Sequence, residues 1–131
     1  YNIFLKGVTH ILNEIFISVA ITFANKINII DGKNIIIADL TSIEDTICKY
    51  FVICQGNSPS QVNAIVDSVK EFAREGADSK PTAIDGLRNA EWVAMDYSDV
   101  LVHVFLPEVR SFYNLEHLWA DAKLTQIPDL D

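Results

Sequence analysis

Gly56-Asn57-Ser58 lies between an apolar run and a run with helical periodicity. Backbone N–H groups at such a junction can cradle an anion, so a phosphate site is one chemistry to weigh here. The surrounding residues match neither the P-loop pattern nor G-x-G-x-x-G, and no lysine is placed to reach a phosphate. An ordinary capped turn explains the same residues, with Ser58 as N-cap and Pro59 at the first helical position.

Phosphoryl transfer would also need carboxylates converging on a divalent cation. Asp96 and Asp99 flank a short turn and need not converge; Asp99 is better read as setting turn geometry through an Asx bond. Asp129 and Asp131 form a D-x-D beyond Pro128 with no scaffold to hold a metal. The three histidines, His10, His103 and His117, show no i, i+4 pair and no neighbouring cysteine. Ser58, Ser60 and Ser111 lack a nucleophile-elbow pattern. Cys48 and Cys54 are not spaced as Cys-x-x-Cys and read as small buried hydrophobes in a reduced, intracellular chain. No catalytic residue, metal ligand or cofactor site is therefore assigned.

What is left is an aromatic and acidic cluster: Glu91-Trp92, Asp96-Tyr97, Asp99 and Tyr113. Such residues either fill a core or form a protein-binding face, where Trp and Tyr act as hot spots. Strand alternation puts Trp92, Ala94 and Asp96 on one face and Glu91, Val93, Met95 and Tyr97 on the other. Which face is open stays undecided at this level.

The cluster belongs to a chain of 131 residues, with 18 acidic and 10 basic side chains and a net charge of −8. That is one domain's length, and half of the residues are hydrophobic, which excludes whole-chain disorder. The charge argues against direct nucleic-acid readout and leaves room for a basic protein partner. Ile15 to Ala24 is apolar but too short to span a bilayer, and it reads as core helix rather than signal peptide.

Val19, Phe23, Ile27 and Ile30 form one face of an N-terminal helix, with Gly32 suited to a left-handed stop. Asn34 to Leu40 and Tyr50 to Gln55 read as buried strands, and Ser42 is a candidate cap for a helical turn through Ile47. Val62, Ile65, Val66, Val69 and Phe72 give a helical stripe that Gly76 ends. Thr82 to Ala90 is irregular, with a short strand at its start. Glu91 to Tyr97 and Val100 to Phe105 form an antiparallel hairpin around Ser98-Asp99, the second strand being central. Pro107 opens a further helix whose apolar residues are Tyr113, Leu115, Leu118 and Trp119. This order implies an α/β domain, a single mixed β-sheet flanked by helices. Residues 1–31 are assigned to an N-terminal helical segment, 32–123 to the α/β domain and 124–131 to a C-terminal tail.

The stretches KYFVICQGNSPSQVNAIVDSV and EWVAMDYSDVLVHVFLPEVRSFYNLEHLWADA resemble the ribosomal silencing factor (Iojap) family over residues 32–123. The resemblance implies a nucleotidyltransferase-like sheet without enzymatic activity. It implies binding to the large ribosomal subunit, through the ribosomal protein numbered fourteen in the universal nomenclature. It further implies that the chain occupies the face that meets the small subunit, so that it blocks subunit joining and represses translation under nutrient limitation, in the cytoplasm. By the same resemblance, binding centres on a sheet-edge hairpin through Trp92, Asp96, Tyr97 and Asp99, together with His103 and Tyr113. The alternatives are a nucleotide- or phosphate-binding enzyme using the Gly56 turn, and a homodimer sharing the same apolar surface. Neither a cofactor nor a membrane is implied.

Overall fold

A computed structural model describes residues 27, 32–41, 49–77, 80–114 and 122–129. Its elements run β1 (Lys33–Asp39), β2 (Tyr50–Gln55), α1 (Pro59–Ala77), β3 (Ala83–Asp85), β4 (Trp92–Asp96), β5 (Val100–Phe105), α2 (Pro107–Tyr113) and β6 (Lys123–Ile127). The strands make one 6-stranded sheet in the order β3-β4-β5-β2-β1-β6. β2 pairs with β5 in parallel, while every other neighbouring pair is antiparallel. The mixed α/β sheet expected from the element order is therefore present, and β5 is interior to it.

Alternation along each strand divides the side chains between the two sheet faces. Ile35, Ile37, Tyr50, Val52, Cys54, Val93, Met95, Val100, Val102 and Val104 face α1, which returns Val62, Ile65, Val66, Val69 and Ala73. Ile27 is fully buried in the same cluster. The opposite face carries a smaller cluster of Ala38, Leu40, Phe51, Ile53 and Phe105, with Trp92, Leu101, Val109 and Ala122 packed against it. Of the residues expected to bind a partner, Trp92 packs against this second, thinner layer and Tyr97 against the first.

Several expectations need correcting. Residues 123–127 are not a tail: they form β6 and extend the sheet along β1, with Ile35 opposite Ile127 and Asp39 opposite Lys123. β6 is exposed along most of its length, so its sequence lacks the apolar signal of an inner strand. The β4–β5 hairpin is not at a sheet edge, because β3 covers the outer side of β4. Gly32 does not take a left-handed φ; among the described glycines only Gly86 does, at +95°. Glycine is needed at 32 because a Cβ there would strike the Ile27 side chain, while its N–H bonds the Ile27 carbonyl at 2.9 Å. α1 continues to Ala77, one residue past the expected stop at Gly76. β1 is not buried along its whole length, since Asn34 is exposed at a bulge with φ 50°. The turn expected from Ser42, together with Leu115, Leu118, Trp119 and Cys48, lies outside the described residues.

Candidate docking face on the thin side of the sheet

The hairpin positions its residues by turn chemistry. Asp96 Oδ1 accepts the Ser98 N–H at 2.8 Å, and Ser98 takes φ 71°. The Asx bond expected of Asp99 is thus made by Asp96. Asp99 acts through its backbone, its carbonyl accepting the N–H groups of Lys49 at 2.9 Å and Tyr50 at 3.0 Å. That ties the hairpin tip to the start of β2. Cross-strand register then sets Trp92 opposite Phe105 and Ala94 opposite His103. Diagonal neighbours in an antiparallel pair are within reach of aromatic side chains, which brings Trp92 to His103.

Trp92 is the centre of the cluster. Its Nε1–H donates to His103 Nδ1 at 3.0 Å. Its ring stacks on Phe105 with centroids 5.0 Å apart and meets Tyr113 at 4.9 Å. Phe51 closes on the other side of His103, edge-on at 4.9 Å. His103 itself is only 4% exposed. Burial pushes its pKa down to about 4, so the ring is neutral near neutral pH. Since Nδ1 accepts from Trp92, the ring proton belongs on Nε2, and that atom has no hydrogen-bond partner among the described residues.

Only part of the predicted set converges. Trp92, Asp96, His103 and Tyr113 share one side of the sheet, but His103 lies beneath the surface and cannot be a contact residue as placed. Tyr97 points the other way and packs against the α1-side core, where burial raises its pKa. The period-2 rule separates Trp92 from Tyr97, so they are not paired anchors of one face. Tyr113, 47% exposed, is held against Trp92 by α2.

Two residues of this region escape sequence reasoning. Phe112 is 82% exposed and meets Tyr113 edge-on at 5.1 Å. Adjacent aromatics on a helix point about 100° apart, so both cannot face one core, and that was the available signal. Arg110 is buried and anchors α2 to the sheet, donating to the Asn34 carbonyl at 2.5 Å and to Gln55 Oε1 at 3.2 Å. Those partners are far away in sequence, and no local pattern links them.

The Gly56 turn is occupied by its own side chains. Ser58 Oγ accepts the Gln61 N–H at 3.1 Å, and Gln61 Oε1 accepts the Asn57 N–H at 2.6 Å. This reciprocal cap uses donors that an anion would need. A Cβ at Gly56 would come within 3.0 Å of the Val62 nitrogen, so the glycine is explained by close packing of the turn on the helix. Cys54 is buried and its thiol is pushed up to about 12, the opposite of a reactive cysteine. No cluster of metal-ligating side chains occurs among the described residues. Nor is any described helix long and apolar enough to cross a membrane.

The family described as ribosomal silencing factor during starvation matches residues 14–131. The chain is 41% identical over 96 residues to the ribosomal silencing factor of Bacillus subtilis, covering 73% of this chain and 80% of the relative. It is 36% identical over 84 residues to a mouse protein named for mitochondrial assembly of the ribosomal large subunit, covering 60% of this chain and 37% of that protein. A crystal structure of a Chromobacterium violaceum protein superposes with TM-score 0.71 at 31% identity, covering 88% of this chain and 92% of that one.

Proposed function

Because the chain belongs to the ribosomal silencing factor family, whose role is in translation, we propose that it is a docking module for the large ribosomal subunit. It binds ribosomal protein fourteen and blocks small-subunit joining by occupying the joining face, which lowers translation when nutrients are short. The single observation behind the choice of face is the half-exposed aromatic layer on the thin side of the sheet, where Tyr113 rests on Trp92. Asp96 lies on the same strand face as Trp92, and the chain's net charge of −8 suits a basic protein surface. The name of the mouse relative points to the same subunit. No catalytic step belongs to this reading, and the internally satisfied cap at Ser58 weighs against a phosphate-handling one.

Purified protein titrated into isolated large subunits, with small subunits then added and joining followed by light scattering, tests this. Saturable large-subunit binding with a matching loss of joining is expected. Unchanged joining at saturating protein overturns the steric mechanism.

A further inference from the structure

His103 was expected to contact the partner, yet it is 96% buried by the same measure that leaves Tyr113 half exposed. It lies on the central strand β5, between Phe51 on β2 and Trp92 on β4. We infer that His103 is a positioning residue: its Nδ1, accepting the Trp92 Nε1–H, fixes which edge and which face of the indole the docking surface presents.

The geometry supports this in three ways. An indole has a broad, roughly two-fold χ2 preference, so the torsion by itself leaves two ring orientations to choose between. A directional acceptor at 3.0 Å selects one of them. The acceptor cannot swing away, because Phe51 meets the imidazole edge-on at 4.9 Å and the Phe105 ring lies 6.1 Å off at 22°. The selected orientation is the one whose ring meets Tyr113, and Tyr113 in turn carries the exposed Phe112. A buried polar group thus sets the outline of an aromatic ladder that runs from Trp92 through Tyr113 to the exposed Phe112. A buried imidazole is costly unless bonded, and on its other nitrogen no bond is made among the described residues. The Trp92 bond is the one described return for placing histidine here.

This rests on the proposed docking face, and the experiment separates the two. Asn at position 103 can place its Oδ1 near the Nδ1 site, whereas Leu has no acceptor and Gln reaches toward the Nε2 site. The indole N–H resonance of Trp92, assigned by its loss in Trp92→Phe, is followed in wild type, His103→Asn, His103→Leu and His103→Gln. Large-subunit affinity is measured on the same proteins. Expected is a wild-type-like resonance and affinity in His103→Asn. In His103→Leu and His103→Gln the resonance shifts and affinity falls by about tenfold. If His103→Leu does not fold, the His103→Gln against His103→Asn comparison carries the test. Equal affinity in all folded variants overturns the positioning role and leaves docking standing. A shifted resonance in His103→Leu and His103→Gln, with no subunit binding even by wild type, overturns the docking face and leaves the orientation of Trp92 by His103 standing.

Discussion

Trp92 and Tyr97 belong to the same short stretch of chain but face opposite sides of the sheet. Trp92 packs on the thin layer with Phe105 and Tyr113, and Tyr97 packs on the layer under α1. Residues that look like one aromatic motif therefore have different jobs, and substitutions at them should separate binding from stability.

Tyr113→Ala should weaken large-subunit binding by about 1–3 kcal/mol, the range of an interface aromatic near a hot spot. Tyr113 is 47% exposed, so the folded state should lose little. Affinity for isolated large subunits and a thermal melt on the same sample check this. A large drop in melting temperature with unchanged affinity would move Tyr113 from the docking face to the core.

Tyr97→Ala should do the reverse. Its ring packs against the main core, and truncation leaves a cavity costing about 2 kcal/mol. Urea denaturation should show the lower midpoint, and binding per folded molecule should match wild type.

Asp96→Asn should slow association without unfolding the hairpin. The amide oxygen can still accept the Ser98 N–H that Asp96 now holds at 2.8 Å, while one negative charge is removed. Association with a basic partner should then be slower and less sensitive to salt than in wild type. Stopped-flow rates at several ionic strengths give the comparison.

His103 should make folding stability depend on pH. Its pKa is lowered by burial from 6.5 to about 4 in the folded protein. Between those values the unfolded chain binds a proton that the folded chain does not, so stability is full above pH 6.5 and declines as pH falls toward 4. The shift corresponds to about 3 kcal/mol. Urea midpoints at pH 7 and pH 4 should therefore fall further in wild type than in His103→Asn, whose side chain does not titrate.

Ser58→Ala should cost about 0.5–2 kcal/mol of stability through loss of the α1 cap. Urea denaturation should show that loss while large-subunit affinity stays at the wild-type value, because the Gly56 turn lies outside the proposed docking face.

Much of the architecture was legible in the residues themselves. Apolar runs marked β1 and β2, Ser58-Pro59 marked the start of α1, and Ser98-Asp99 marked the hairpin. All of these are local, set by backbone preference, capping and hydrophobic period over a few residues. The aromatic and acidic landmarks also carried the family resemblance. Strand β6 was not legible, because an exposed edge strand takes its identity from pairing with β1, and its own side chains read as polar tail.

The docking face shows the same division. Alternation along β4 by itself put Trp92 and Asp96 together and Tyr97 apart. It took the packing of α1 on one side to decide that Val93 and Met95 were core and that Trp92 faced the thin layer. Only tertiary structure could bury His103 beneath Trp92, seat Tyr113 on that indole and tie Arg110 to Asn34 and Gln55. Each of these contacts joins residues from separate elements. Their meeting depends on sheet order and register, which no local pattern encodes.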